Sequence, residues 1–383
     1  MLDELFPKYH RRYAASPFGP QLERFAQWLA SKGYGHIPAR NHVRRLKQVL
    51  EASSARLPAA FERGDLERLF AAHADAELFR ATRRAFERCL ADHGLLHHVA
   101  AAGPYARVLT AYQEHLVEVR GLSASTVAQH VSTVRAFLEE ALPAGAPLSE
   151  LRANLIERHV VDKGKRVSRQ SMQHCVAHLR SFLRFCHSQG LLDRRLDAID
   201  TPRVYRDELP PRALPWAVVQ QLLRSVDRRD AMGWRDYAIL HLMAHYGLRP
   251  SEVVALRLDS IDWQANILRV EQRKTRSALL LPLTEPSVRI LRRYLREGRP
   301  GSNRPELFLR ARGPAGTIKH TAVCDIYRSR AARSGLPIDR TSSYSLRHSF
   351  AMRLLERGVG IKAIGDVLGH RSLESTCVYL RLH

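Results

Sequence analysis

The sequence has few of the features that would support disulfide bonds, bound zinc or insertion into a membrane. Its 383 residues contain five cysteines, and no two of them form a C-x-x-C pair. Scattered thiols of this kind predict neither a metal site nor a disulfide framework, and they suit a reducing cytoplasm. The N-terminus has no apolar signal-peptide core, and no apolar run approaches the roughly 18 residues of a membrane span. We therefore expect a cytoplasmic protein that neither binds a metal nor enters a membrane.

Acidic residues are scarce relative to basic ones. Lys and Arg total 61 against 38 Asp and Glu, which gives a formal net charge of +23 and a pI near 10.5. A surplus of this size favours a polyanionic partner, and nucleic acid is the commonest one. A genome-wide preference for arginine would explain why lysine is rare, but it would not explain the excess over acids.

The pattern along the chain predicts three regions and a linker. Residues 1–98 and 105–199 read as two helical units, separated by a Gly-Pro break. Residues 201–215 carry four prolines among charged residues, which makes a stiff, exposed linker. Residues 216–383 alternate helical segments with one strand–turn–strand unit. The predicted fold class is mainly α, with a small antiparallel β-sheet in the C-terminal region.

One basic segment stands out in the second helical unit. We predict three helices there, the second capped by Ser123 or Ser125, and a loop at 162–170 before the third. The loop has little apolar content, so it would contact phosphate or, equally well, remain solvated. Its cations are Lys163, Lys165, Arg166 and Arg169.

Arg249 lies between a helix-ending glycine and a helix-starting proline. Gly247 should end one helix, and Pro250 suits the first position of the next. Arg249 should therefore stand at the N-terminus of a helix, an end that favours anions. A positive charge there is unfavourable unless an anion lies between the side chain and the helix end. Glu252, one turn on, could orient the Arg249 guanidinium, cap its own helix, or do both. A surface pair of these two residues is the plain alternative.

Lys274 is the only lysine between Lys165 and Lys319 in a chain that prefers arginine. Lysine can release its proton, whereas arginine cannot, so this choice suits a general acid. It lies in the basic stretch between the two predicted strands, together with Arg273 and Arg276. We predict that this hairpin tip reaches DNA. A solvated turn lysine is an equally good interpretation of the position alone.

A second arginine, Arg347, falls in the first turn of a predicted helix that opens near Tyr344, with Ser345 as its cap. Two guanidinium groups can bind the non-bridging oxygens of one phosphate in bidentate fashion. They would stabilise the charge that grows in a five-coordinate transition state. His348 is interpreted as a packing or surface residue.

The last two polar residues of the set are His370 and Tyr379. His370 follows Gly369, which should end a helix. A new helix is predicted from Ser372, and Tyr379, two turns along it, would lie on the same face as its first residue. A phenol has a reference pKa near 10 and needs nearby cations or a base to act as a nucleophile. Arg249, Arg347 and His370 could supply that field. Cys377 is better explained as packing than as a rival nucleophile.

The segments GLRPSEVVALRLDSID and LRHSFAMRLLERGVGIKAIGDVLGHRSLESTCVYL resemble the two arginine boxes of the tyrosine recombinases, the phage integrase family. The spacings of 23 residues from Arg347 to His370 and nine to Tyr379 resemble the family pattern. The resemblance is strong over 208–383 and weaker over 105–199. It implies a helical core-binding domain and a mixed α/β catalytic domain that form a C-shaped clamp on DNA.

The resemblance implies a role for each residue of the set. Arg249 and Arg347 would bind the scissile phosphate, Lys274 would be the general acid, His370 would hydrogen-bond the phosphate, and Tyr379 would be the nucleophile. The product would be a 3′-phosphotyrosyl linkage, with no metal, ATP or other cofactor. Where the family has His three residues before the second arginine, this chain has Tyr344. The general base is therefore left open between Tyr344 and His370.

The expected function is site-specific recombination of double-stranded DNA by a tetramer on paired sites, with accessory or partner recombinases as further candidates. The extra N-terminal region favours integration, excision or transposition of a mobile element. A catalytically weak DNA-binding member of the family is one alternative, because Gly369 between two short helices resembles a helix-turn-helix. A type IB topoisomerase-like activity is another.

Overall fold

Helices make up most of the chain, and one three-stranded sheet lies in its C-terminal half. The computed structural model describes residues 1–53, 58, 60–97, 103–143, 146–201, 212–272, 277–338, 341–370 and 372–381. These divide into two units, one formed from residues 1–59, 65–95 and 209–383 and the other from residues 60–64 and 96–208. Most of the predicted 201–215 linker lies outside the described residues.

The described α-helices, in chain order, are α1 (Leu2–Leu5), α2 (His10–Ala14), α3 (Gly19–Ser31), α4 (His36–Ala52), α5 (Arg63–Leu69), α6 (Glu77–Asp92), α7 (Ala106–Glu118), α8 (Ala124–Ala141), α9 (Ala153–Gly164), α10 (Arg169–Ser188), α11 (Trp216–Ser225), α12 (Ala231–Tyr246), α13 (Pro250–Ala255), α14 (Glu285–Arg293), α15 (His320–Ser334), α16 (Tyr344–Glu356), α17 (Ile361–Leu368) and α18 (Glu374–Cys377). A π-helical turn, Tyr294–Gly298, continues α14, and a 3-10 turn, Val378–Arg381, continues α18. The strands are β1 (Phe61–Glu62), β2 (Leu96–His97), β3 (Ile261–Asp262), β4 (Ile267–Gln272) and β5 (Ser277–Pro282).

The N-terminal helices have the apolar spacing of amphipathic helices, as α3 shows. Leu22, Phe25, Ala26 and Leu29 lie on one face of α3 and are fully buried. Gly33 follows the helix with a φ of 73°, as expected of a helix-ending glycine. The region is not purely helical, because β1 and β2 pair in parallel over two residues each.

The second unit packs α7 to α10 around an aromatic core. Tyr112, Phe137 and Phe182 have no exposed surface, and burial of a Phe side chain stabilises a fold by about 1.5–3 kcal/mol. The side chain of Ser123 caps α8, as one of the two predicted alternatives, and Ser168 caps α10 in the same way. These caps satisfy backbone N–H groups that have no partner within the helix.

The predicted basic loop at 162–170 is shorter than expected. Helix α9, which the sequence interpretation missed, extends to Gly164, and α10 begins at Arg169. Lys163 therefore lies on the last turn of a helix, and Arg169 on the first turn of the next. The prediction was wrong at both ends because helix α9 buries only Ile156 and His159, too few residues for a clear apolar period.

Helix α12 is the centre of the C-terminal region. It is buried around most of its circumference, and Leu240, Leu242 and Met243 are fully buried on different sides. A buried carboxylate ties it to α15, because Asp236 accepts hydrogen bonds from Arg330 at 2.7 and 2.9 Å and from the adjacent Arg235 at 2.8 and 3.1 Å. Buried charges need such partners to offset the loss of water.

The small sheet has the order β3–β4–β5, and both pairings are antiparallel. Leu268, Val270 and Gln272 of β4 point inward, while Arg269 and Glu271 are exposed. The predicted strand–turn–strand unit is therefore confirmed.

Among the described residues, no helix has the length and apolar character to cross a bilayer.

Candidate active site

Arg249 and Glu252 form a reciprocal cap at the start of α13. Arg249 is the N-cap residue, and its backbone N–H donates to a Glu252 carboxylate oxygen at 2.8 Å. The Arg249 guanidinium donates to the other oxygen at 2.5 Å. The Glu252 side chain is only 7% exposed, against 24% for that of Arg249. The Glu252 carboxylate thus caps its own helix and also contacts the Arg249 guanidinium, the two interactions that the sequence suggested.

Arg347 reaches the same carboxylate from the first turn of α16. One guanidinium nitrogen lies 3.8 Å from a Glu252 oxygen and donates to the carbonyl of Gly247 at 2.5 Å. Another donates to the carbonyl of Leu368 at 2.6 Å. These carbonyls lie at the C-terminal ends of α12 and α17, where the partial charge of a helix is negative. Two helix ends and one carboxylate therefore hold the guanidinium in a fixed orientation.

Glycines make room for this arrangement. Gly247 has a φ of 63°, and a Cβ atom there would lie 2.6 Å from Phe350 and 2.8 Å from Leu368. Gly369 ends α17 with the same φ, and a Cβ atom there would overlap the amide of Gln272. The two left-handed turns bring two helix ends to one point, where a side chain would separate them.

The cluster is strongly positive despite its burial. Burial, and then the charge of Arg249, lower the pKa of Arg347 to about 10, so Arg347 remains protonated at neutral pH. Burial, and then the charges of Arg347 and Arg249, lower the pKa of His370 to about 4, so its imidazole is neutral. Two guanidinium charges against one carboxylate leave an excess that favours an anion.

His370 lies directly after the left-handed Gly369, as predicted. Its Nδ1 atom lies 2.8 Å from the hydroxyl of Thr376, a residue with no exposed surface. Its backbone N–H donates to Gly365 at 2.9 Å. The imidazole is thus fixed by the segment that carries Tyr379, and this contact sets the orientation of the ring.

Tyr379 is enclosed, with an exposed fraction of 1%. Its hydroxyl lies 3.0 Å from Nδ1 of His348, one residue beyond Arg347 on α16. Burial raises the pKa of Tyr379, while the charges of Arg347 and Arg249 lower it. The contact with His348 therefore holds the phenol against α16, next to the residue that carries the Arg347 guanidinium. Sequence reasoning missed this use of His348, because only the folded chain brings the two residues together.

Three local predictions around the cluster were wrong. Ser345 does not cap α16, since Ser343 is the N-cap residue and Ser345 is buried within the first turn. Ser372 does not begin a helix, because α18 starts at Glu374. Tyr379 then lies in a 3-10 turn, so the prediction that it shares a face with the start of an α-helix is wrong. Tyr344 is the first residue of α16 and is 45% exposed.

The other predicted residues lie elsewhere or are not described. Lys274, Arg273 and Arg276 lie outside the described residues. In the second unit, Lys163 is half-buried, whereas Lys165, Arg166 and Arg169 are exposed. Lys165 forms an exposed ion pair with Asp162 at 2.8 Å. These cations lie on or between α9 and α10.

The arrangement places a phenol in the same cluster as groups that can bind an anion. Two fixed guanidinium groups and a neutral imidazole can donate hydrogen bonds to one phosphate. A phenol beside them can attack it if a base accepts its proton.

Within the described part of the chain, no group of three His, Cys, Asp or Glu residues has the arrangement of a metal site. Cys377 is half-buried.

Two family models match the chain. The phage integrase family matches residues 212–383, and the N-terminal SAM-like domain of phage integrases matches residues 109–190. A Sinorhizobium fredii protein named as an integrase/recombinase, y4rA, is 31% identical over 379 residues, covering 94% of this chain and 90% of the relative. The tyrosine recombinase XerD of Listeria monocytogenes is 28% identical over 273 residues, covering 69% of this chain and 90% of the relative.

Solved structures share the fold at lower sequence identity. A lambda integrase dimer bound to a core site superposes with a TM-score of 0.57 at 18% identity, covering 79% of this chain and 87% of that one. A Tn1549 transposon integrase in complex with transposon right-end DNA also gives 0.57, at 16% identity, covering 71% of this chain and 94% of that one. The predicted fold class, mainly α with a small antiparallel sheet, is confirmed.

Proposed function

Because the chain belongs to the phage integrase family and is a tyrosine-type site-specific DNA recombinase, we propose that it cleaves and rejoins double-stranded DNA through Tyr379. The observation that carries this proposal is the contact of the Tyr379 hydroxyl with His348 of α16, the residue after Arg347, which shares the Glu252 carboxylate with Arg249. The hydroxyl would attack a phosphate held by the two guanidinium groups. A 3′-phosphotyrosyl bond would form, and the 5′ oxygen of the cut strand would leave.

Each remaining residue of the set takes one task in this mechanism. His370 donates a hydrogen bond to the phosphate from a ring that Thr376 fixes through Nδ1. Lys274, which lies between β4 and β5 in the sequence, gives a proton to the departing 5′ oxygen, as a lysine side chain can do. Glu252 holds Arg249 and contacts Arg347, so it keeps the two guanidinium groups together. Rejoining reverses the steps, and the energy of the broken bond is retained in the covalent link.

The setting that we propose is integration, excision or transposition of a mobile element, by a tetramer on two DNA duplexes. The alignment with the relative y4rA covers 94% of the chain, so it includes residues before the segments matched by the two family models. An additional region of that kind suits a recombinase that recognises more than one short core site. The exposed cations at 165–169 and the hairpin tip are the proposed DNA contacts, with accessory or partner recombinases as further participants.

The testing experiment is covalent trapping. Purified full-length protein is mixed with nicked duplexes that tile the DNA flanking its own gene, and the products are run on a denaturing gel. The expected result is an adduct that protease destroys, formed by the wild type and absent in Tyr379→Phe. Tyr379→Phe should still bind the same duplex, because the loss of one hydroxyl leaves the arginine pair intact.

Tyr294→Phe is the matched control, since Tyr294 is also fully buried and its hydroxyl donates to Leu307 at 3.1 Å. It should retain the adduct. An adduct that persists in Tyr379→Phe would overturn the assignment of the nucleophile. Tight binding without any adduct would favour a weakly catalytic family member. Relaxation of supercoiled plasmid without strand exchange would favour topoisomerase-like activity.

A further inference from the structure

We propose that His348 is the general base of the cleavage step and accepts the proton of Tyr379. This inference rests on the proposed function, because it assigns a residue to the same strand-cleavage site. Its basis is the contact between the two side chains, with Nδ1 of His348 lying 3.0 Å from the Tyr379 hydroxyl. That distance is within the range in which a general base must approach the proton it takes.

The helix fixes His348 in this place. It follows Arg347 directly on α16, so the guanidinium that binds the Gly247 and Leu368 carbonyls also fixes the backbone of its neighbour. The two rings lie against each other, with centroids 5.7 Å apart. Tyr379 is buried, so water has little access to its hydroxyl. The imidazole of His348 contacts the enclosed hydroxyl and can accept its proton.

The two residues first considered for this role are less well placed. Tyr344 is 45% exposed, and a neutral phenol is a weak base near pH 7. Nδ1 of His370 is engaged with the Thr376 hydroxyl. Of the three side chains, His348 is the one for which the structure gives a contact with the Tyr379 hydroxyl.

The step balances without any added reagent. The Tyr379 oxygen forms a bond to phosphorus while its proton passes to Nδ1 of His348, and the bond from phosphorus to the 5′ oxygen breaks. The leaving oxygen takes a proton from the general acid, for which Lys274 is proposed. In rejoining, the 5′ hydroxyl gives its proton to the neutral Lys274 as its oxygen attacks phosphorus, the bond from phosphorus to the Tyr379 oxygen breaks, and His348 returns its proton to the departing phenolate. The tautomer required carries the resting imidazole proton on Nε2.

The charges around His348 determine the expected pH dependence. Burial, and then the charge of Arg347, lower the pKa of His348 from its usual value, and the other ionisable groups of the cluster are Arg249, Glu252, His370 and Tyr379. A base must be neutral, so cleavage by the wild type should fall only as pH drops through that lowered pKa. Without the base, attack needs the phenolate of Tyr379, whose pKa burial raises. The rate would then rise about tenfold per pH unit through neutrality.

The test compares His348→Asn, His348→Ala and wild type in single-turnover adduct formation between pH 5.5 and 9. The probe is the set of nicked duplexes that tile the DNA flanking the gene. The Asn side-chain oxygen can accept the Tyr379 hydrogen bond near the Nδ1 position, but it cannot take a proton. We expect the rate of adduct formation by both variants to fall roughly 10²–10⁴-fold at pH 7 and to recover as the pH rises. Added imidazole should restore part of the rate of His348→Ala.

Outcomes separate this inference from the proposed function. If wild type forms no adduct, the proposed function fails and this inference fails with it. If wild type forms the adduct and His348→Asn keeps both its rate and its pH profile, His348 only positions Tyr379 and the inference is overturned. Thermal denaturation of each variant checks folding. His320→Asn, which changes an exposed histidine at the start of α15, should leave rate and profile unchanged.

Discussion

The two arginines of the cluster differ in how the protein holds them. Arg347 is 4% exposed and joins the carbonyls of two helix ends, whereas Arg249 has a 24% exposed side chain and one carboxylate partner. A lysine cannot span both carbonyls, because its donors lie at a single nitrogen. We expect Arg347→Lys to reduce adduct formation by roughly 10²–10³-fold, as loss of one preorganised donor does.

Arg347→Lys should also lower the melting temperature, since an unpaired buried carbonyl costs about 1–3 kcal/mol. Arg249→Lys should reduce the rate with a smaller thermal effect. Single-turnover trapping and thermal denaturation measure the two quantities. Arg328→Lys, at an exposed ion pair with Asp325 on α15, is the control and should change neither. An Arg347→Lys protein with wild-type rate and melting temperature would contradict the assignment.

At this scale the sequence predicted the local backbone position of Arg249 and His370 better than the partners of the predicted site residues. Arg249 and His370 lie beside the predicted helix ends, because glycine and proline specify local backbone geometry. The pairing of Tyr379 with His348 could not be predicted in this way, because it depends on how the C-terminal turn packs on α16. The one local signal was the position of His348 directly after Arg347.

Among the elements, the left-handed turn after α12 is the most sensitive to change. Gly247→Ala should destabilise the protein, because a side chain there strains a φ of 63° and meets Phe350 and Leu368. It should also displace the carbonyl that holds Arg347, so adduct formation should fall. Gly335→Ala is the matched control, since Gly335 ends α15 with a φ of 68° and has open space around it.

Both glycine variants carry the backbone strain, of about 1 kcal/mol for a left-handed residue. Only Gly247→Ala adds steric overlap and a shifted active-site carbonyl. Urea denaturation should therefore show a larger loss of unfolding free energy for Gly247→Ala, and trapping should show a loss of rate for it alone. Equal losses in both assays for the two variants would mean that the turn has no special link to Arg347.

The hairpin of β4 and β5 gives a separate prediction for the general acid. A duplex with sulfur in place of the bridging 5′ oxygen has a leaving group that needs no proton. Lys274→Met should therefore be slow on the oxygen substrate, by roughly 10²–10⁴-fold, and close to wild type on the sulfur substrate. Arg347→Lys should remain slow on both. A Lys274→Met protein that is equally slow on both substrates would exclude lysine as the acid.

Elements with a long apolar period were predictable, and short ones were not. The buried face of α3 follows directly from residues that recur every three or four positions. Helix α9 buries only two residues, and α18 is four residues long, so tertiary packing decides where they form. The capping residue of α16 was missed for a related reason, since three serines at 342–345 offered similar local signals.

For the whole molecule, the net charge of +23 predicts strong salt dependence of DNA binding. If binding neutralises six to ten phosphates, affinity should fall by roughly 10³–10⁵-fold between about 50 and 200 mM salt. Tyr379→Phe protein separates binding from cleavage in this titration. Lys165→Gln and Arg166→Gln should each reduce the slope of log affinity against log salt by about one.

Arg328→Gln is the comparison for these two variants, because it removes one exposed cation of α15. A slope that all three variants reduce equally would mean that binding depends on total charge. A slope that only Lys165→Gln and Arg166→Gln reduce would place phosphate contacts between α9 and α10.

The enclosure of Tyr379 has a consequence for the cell in which the protein works. A chain with so large a positive charge will meet chromosomal DNA of every sequence far more often than its own target. With an exposed fraction of 1%, the hydroxyl is inaccessible during those encounters. Under the proposed function, a strand can be cut only after the residues that cover Tyr379 move aside, so binding to a wrong sequence is not enough to nick it. Selectivity then depends on this exposure step as well as on how tightly a sequence is bound.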